Sequence, residues 1–306
     1  MKNLKSIPLD LIEFANEWRK NYRDLIPSAG QPDNLFDVKN IEVPTSDSSR
    51  TIPSRLYIPT EKPENSLYPL ILFVHGGGWV SGDLDTHDVL IRGLSLKFNA
   101  VVLSVGYRLL PEYEAIDQIN DANDGLKWLF SNASKLNGDV QKIIGIGDSA
   151  GGGIIANLSH KLIRENSEIK LKAQWLMYPV VNFNFETPSM QKYGKVNFPT
   201  IDYLTFAERC YITEGLTNVD PNIVPFYADH KNIAPTLVSV AGADPLTSAS
   251  EEYAKNVAQA GVKTELRNYP DSQHGFIQFY KNKAENPLGE KAFEEGAEII
   301  KKWLKE

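Results

Sequence analysis

Gly147-Asp148-Ser149-Ala150-Gly151 follows the apolar run Ile143, Ile144 and Ile146 and precedes the small-residue opening of a helix. A serine on a sharp strand-to-helix turn, flanked by glycines that let the backbone fold closely around it, has the form of a nucleophile elbow. That context predicts an exposed, strained hydroxyl. A serine hydroxyl is a poor nucleophile at its own pKa, so the reading requires a base and a set of oxyanion donors elsewhere in the chain.

Upstream, His75-Gly76-Gly77-Gly78-Trp79 comes directly after the strand-like Ile71-Leu72-Phe73-Val74. A triple glycine alone reads as a flexible hairpin. At a strand's C-terminal end and ahead of an elbow, it reads as a loop whose Gly76 and Gly77 amides point at a developing oxyanion, with the Ala150 amide as the third donor. Downstream, the five histidines make the search for a base short. His75 reads as a loop organiser, His87 and His160 fall in helical segments, and His230 lies in a long insertion. His274, in a loop after the last strand, is the expected base. Its partner carboxylate is expected to be Asp244, which follows another strand in Ala243-Asp244-Pro245; the rival Asp271 would have to double back within one loop. The order Ser149, Asp244, His274 suits nucleophile, acid and base on an α/β scaffold. Trp79, Asp148 and Phe206 are candidates for the substrate pocket, and no metal site is expected, since no His-Glu-x-x-His pair occurs and Cys210 is the single cysteine.

The surrounding pattern is α/β. Leu9, Leu11, Ile12, Phe14, Ala15, Trp18 and Tyr22 form an apolar stripe at helical spacing before any strand. Two strand-like runs, 36–43 and 51–59, flank a turn-rich stretch and suggest an antiparallel pair. From Pro69 onward, short apolar strands (69–74, 100–105, 142–146, 171–178, 236–241 and 263–269) alternate with helical segments (85–97, 116–132, 150–164 and 248–260), the pattern of crossovers in a mostly parallel sheet. The last residues, 290–306, read as an amphipathic helix packed on the body. One stretch, 181–234, is rich in aromatics but has no strand of its own, and a connection of that length is expected to be a lid or binding element.

Composition narrows the partners. A net charge of −7 disfavours nucleic acid, whose phosphates need a basic patch. No run approaches the roughly 18 apolar residues of a membrane span. The first six residues lack an apolar core for a signal peptide, and the lone cysteine cannot form an internal disulfide; both favour a cytoplasmic location.

Jointly, the HGGGW run continuing to His87-Asp88, Tyr107-Arg108-Leu109-Leu110-Pro111-Glu112, GDSAGG at 147–152, Asp244-Pro245-Leu246 and His274-Gly275-Phe276 resemble the hormone-sensitive-lipase-like branch of the α/β-hydrolases, the bacterial family IV carboxylesterases. The resemblance runs from about Pro69 to Phe276. It implies an eight-stranded, mostly parallel sheet in a single domain over 1–306, capped by about 1–35 and the 181–234 insertion, with Arg108 and Glu112 in a structural network. It also implies hydrolysis of short-to-medium acyl esters without a cofactor, and a possible homodimer through the edge strand at 263–269. Leu110, Tyr113 and Ser248 depart from residues common in that family. An amidase or peptidase could use the same residues; a non-catalytic receptor on this fold lacks the catalytic histidine, which is present here.

Overall fold

The computed structural model describes residues 7–63 and 67–306, so the extreme N-terminal stretch read above for a targeting signal lies outside it. Eight strands form one sheet: β1 (Asp37–Pro44), β2 (Thr51–Ile58), β3 (Tyr68–Val74), β4 (Val101–Val105), β5 (Gly138–Asp148), β6 (Ala173–Met177), β7 (Thr236–Ala241) and β8 (Thr264–Tyr269). Their spatial order is β1-β2-β4-β3-β5-β6-β7-β8. The β1/β2 and β2/β4 pairs are antiparallel and the pairs from β4 to β8 are parallel.

The parallel strands are buried on both faces, as crossover helices require. Along β3, Leu70, Leu72 and Val74 enter one core while Ile71 and Phe73 enter the other, the period of two expected of a strand. The first core takes α3 (Ala115–Ser131), α4 (Ala150–Arg164) and α7 (Thr247–Gln259); the second takes α2 (Asp88–Phe98) and α8 (Gly289–Trp303). The C-terminal helix seats closely enough that a side chain at Gly296 would collide with the Trp175 ring.

Two boundaries differ from the sequence reading for identifiable reasons. Helix α2 begins at Asp88, because the Asp83 carboxylate accepts from the Asp85 and Thr86 amides and holds residues 83–87 in a turn. Strand β5 starts four residues early, at Gly138, where it pairs with Tyr68 ahead of a register shift.

Between β6 and β7 lie α5 (Pro188–Tyr193), α6 (Ile201–Tyr211) and a 3-10 turn (Pro225–Tyr227), with no strand. Thr200 caps α6 by accepting from the Tyr203 amide. Helix α6 packs on the N-terminal helix α1 (Leu9–Asp24) through rings: Phe14 stacks on Phe206 at 4.6 Å and Trp18 meets Tyr203 at 4.5 Å. Aromatic packing of this kind joins two segments far apart in the chain with few hydrogen bonds.

Candidate active site

The loops after β3, β5, β6 and β8 line one cavity of about 250 Å³. Ser149 sits between β5 and α4 with φ 51° and ψ −120°, a conformation L-residues avoid unless the surroundings impose it. The surroundings do so: its amide donates to Met177 O at 2.8 Å, and its carbonyl accepts from Val180 and Gly153. A Cβ on Gly151 would stand 2.0 Å from Val74 O, so only glycine lets the elbow seat against β3. The sequence suggested an exposed serine, but bulk solvent does not reach it freely. It is 8% accessible and opens onto the cavity, because α1 and the insertion overlie it.

His274 Nε2 lies 2.8 Å from Ser149 Oγ, and its Nδ1 lies 2.6 Å from Asp244 Oδ2. Asp244 is fixed in turn by accepting from the Leu246 amide, and its loop is tied to that of His274 by the Ala243 amide donating to Ser272 O. Both carboxylate and ring are buried. Asp271 is exposed, on the far side of that short loop. A hydroxyl, an imidazole and a carboxylate in this line can pass a proton from oxygen to ring while the carboxylate fixes the tautomer.

The glycine loop corrects the sequence expectation. The Gly76 amide donates to Asp148 Oδ1 at 2.8 Å and so is not free for a substrate oxygen. Gly77 and Gly78 line the cavity instead, and among the described residues neither of their amides, nor that of Ala150 at the start of α4, has a hydrogen-bond partner. Helix geometry leaves the Ala150 amide free by construction. Nothing local separates Gly76 from Gly78 within the run; the distinction comes from a carboxylate 72 residues away.

Asp148 therefore faces both ways. It lines the cavity, yet its carboxylate is held by the Gly76 amide and by His87 Nε2 at 3.1 Å, with both side chains buried. Burial works to raise its pKa; the His87 ring and the hydrogen bonds outweigh it and hold the carboxyl below its ordinary value. His87 Nδ1 in turn meets Thr86 Oγ1 at 2.9 Å. Tyr22 of α1 stands 3.5 Å from His87 Nε2 and donates to Gln278 Oε1 at 2.9 Å, four residues beyond His274. This belt of half-buried Tyr22 and buried His87, Asp148 and Gln278 joins α1, the elbow and both loops. In the sequence Tyr22 was one of an apolar helical stripe and His87 one of a motif run read as helical, while Gln278 carried no signal.

The cavity walls are mostly apolar: Trp18 from α1, Phe198, Tyr203 and Leu204 from the insertion, and Trp79 after the glycine loop. Phe206, expected in the pocket, is not on its wall. It lies on the face of α6 that stacks against Phe14, while Tyr203, one turn earlier, faces the cavity. Arg108 and Glu112 do not pair with each other: Arg108 binds Asp121 at 2.8 Å and Glu112 binds Arg19 of α1 at 2.7 Å. His75 stacks on Tyr107 at 4.3 Å, and burial lowers its pKa to about 4. His160 and His230 pack around Tyr253, away from the cavity. Among the described residues no group of three His, Cys, Asp or Glu could hold a metal ion, and no helix is long and apolar enough to cross a membrane.

Comparison with known proteins agrees with this architecture. A family model described as alpha/beta hydrolase fold matches residues 71–278. The ethyl acetate hydrolase of Pseudomonas putida is 32% identical over 278 residues, covering 89% of this chain and 86% of that protein. Among solved structures, a hyperthermophilic esterase from the archaeon Pyrobaculum calidifontis superposes with a TM-score of 0.85 at 31% identity, covering 99% of this chain and 93% of that one. The thermostable carboxylesterase EstE1, from a metagenomic library, does so with a TM-score of 0.86 at 30% identity, covering 97% and 99%.

Proposed function

Because the chain belongs to the alpha/beta hydrolase family, we propose that it is a serine carboxylesterase that cleaves short-to-medium acyl esters through an acyl-enzyme intermediate. The observation that carries this reading is the unbroken line from Ser149 Oγ to His274 to Asp244, at 2.8 and 2.6 Å, opening on an apolar cavity. The small ester acted on by the Pseudomonas putida relative supports a substrate of the same class.

In this mechanism Ser149 Oγ attacks the ester carbonyl carbon as His274 Nε2 takes its proton, and Asp244 stabilises the imidazolium. The carbonyl oxygen becomes an oxyanion facing the Gly77, Gly78 and Ala150 amides, each donor of this type contributing about 10²- to 10³-fold in rate. The tetrahedral centre collapses with the C–O bond to the alcohol breaking, and His274 returns its proton to the departing oxygen. Water, deprotonated by the same ring, then attacks the acyl carbon and releases the carboxylic acid and Ser149. Asp148 and His87 act as positioning residues that hold the Gly76 end of the oxyanion loop, and α1 with the insertion caps the site against water.

Ser149→Ala tests the assignment. Turnover of p-nitrophenyl butyrate should fall by at least about 10⁴-fold with the circular dichroism unchanged, and residual turnover near the parent rate removes the serine from the reaction.

A further inference from the structure

Trp79 stands between two spaces. On one side is the cavity that holds Ser149; on the other is a small pocket of about 10 Å³, room for one water at most, walled by the buried Phe183, Tyr211, Ile223 and Val224. Only Trp79 and Val180 belong to both walls. The indole packs on Tyr211 at 4.4 Å and Phe183 at 5.6 Å between ring centroids, and neither of those rings reaches the first cavity. Its backbone is held at φ 66°, and its carbonyl accepts from the Leu110 amide and the Gln118 side chain, so the ring is fixed from behind. Among the described residues, the indole Nε1 is buried without a hydrogen-bond partner, as is Asn157 Oδ1 on the small pocket's wall. A buried donor left unpaired is costly, so the ring is held in place by packing and not by recognition of a polar group.

We propose that Trp79 is the partition that sets the acyl-chain limit of this enzyme, and that the small pocket behind it is an unused extension of the acyl site. The proposal rests on the esterase reading above. Protonation of the leaving alcohol by His274 places that alcohol against the imidazole, beside Phe198 and Tyr178. The acyl chain is then left the walls away from that ring, where Val180 adjoins the Ser149 carbonyl and Trp79 follows the oxyanion glycines. An acyl chain growing in that direction meets the indole face. Removing the indole joins the two spaces.

The experiment compares kcat/KM for p-nitrophenyl acetate, butyrate, hexanoate, octanoate and decanoate in the parent, Trp79→Ala and Trp79→Leu. The parent should fall off beyond short chains. The Trp79 variants should shift the optimum to longer chains, each methylene that enters the opened space adding up to about fourfold. Phe183→Leu, which enlarges only the space behind Trp79, should leave the parent profile unchanged but lengthen the optimum further when combined with Trp79→Ala. That coupling is a readout a purely structural tryptophan would not give. Should Trp79→Ala fail to fold, Trp79→Leu, which keeps apolar bulk at the position, carries the comparison. An octanoate-to-butyrate ratio unchanged in folded Trp79 variants, or an additive Phe183→Leu effect, overturns the partition. Octanoate and butyrate titrated calorimetrically into Ser149→Ala with and without Trp79→Ala read the same preference without turnover. A parent inactive on every ester, combined with a shift in these titrations, sinks the esterase reading and leaves the partition standing.

Discussion

Two imidazole–carboxylate pairs flank the Ser149 elbow, and they are built to opposite ends. In the His274–Asp244 pair one ring nitrogen meets the carboxylate at 2.6 Å and the other faces Ser149 Oγ at the cavity edge. In the His87–Asp148 pair the ring meets the carboxylate at 3.1 Å, but its second nitrogen is met by Thr86 and the carboxylate's remaining capacity goes to the Gly76 amide. The residue types are identical. What separates a base from a brace is whether the ring's second nitrogen opens onto a substrate space or onto the protein's own hydroxyl.

The largest expected effect comes from the first pair. His274→Ala should lower kcat for p-nitrophenyl butyrate by about 10⁴-fold or more, with little change in KM, and a similar loss is expected from Asp244→Asn, which keeps the shape but leaves the ring in the wrong tautomer. Steady-state kinetics checks both; a variant of either residue within tenfold of the parent breaks the contrast.

Next is the brace. Asp148→Asn keeps the size of the side chain, removes the charge that faces His87 and weakens the acceptor for the Gly76 amide, so the glycine loop loses its anchor. A fall of about 10²-fold in kcat is expected, comparable to loss of one oxyanion donor, with the acyl-length profile unchanged. A loss as deep as that of His274→Ala would make Asp148 a participant in proton transfer and erase the distinction drawn here.

A third imidazole in the same neighbourhood sharpens the point through stability. His75 is buried with its pKa lowered from 6.5 to about 4, so between those pH values the unfolded chain binds a proton that the folded chain does not. Its contribution is fully present above pH 6.5 and is lost as pH falls towards 4, up to ~3 kcal/mol by linkage. His160, lowered to about 3 by burial, acts in the same direction. Urea denaturation at pH 7, 5.5 and 4.5 should show this decline, and His160→Gln should flatten it.

The smallest effect is at the end of the belt. Tyr22→Phe removes the hydroxyl that donates to Gln278, and the expected cost is ~1 kcal/mol in unfolding free energy with a few-fold change in kcat, read by denaturation and steady-state rates.

These contrasts also mark how far the amino-acid sequence could be read. The strands, the elbow and the line of Ser149, Asp244 and His274 were legible because each depends on local pattern: a period of two, a strand end, a turn signal. Gly76 and Gly78 were not separable, since their difference is made by the distant Asp148 carboxylate. Phe206 and Tyr203 lie on one helix with equal aromatic character, and only the position of α1 decides which of them turns inward. His87 stood in the motif that continues from the glycine loop, but its pairing with Asp148 was not legible, because a brace needs only a neighbour in space. Walls and supports of the cavity are properties of the assembled fold; the three side chains in line at its edge are announced by the chain itself.

The cavity takes Trp18 from the first helix and Phe279 from the loop before the last one. A ribosome therefore finishes Ser149 long before His274 and closes the chamber only after Phe279 has emerged. Ester turnover in a translation mixture would thus count chains that extend past Phe279 and stay silent on those that stop between Ser149 and it.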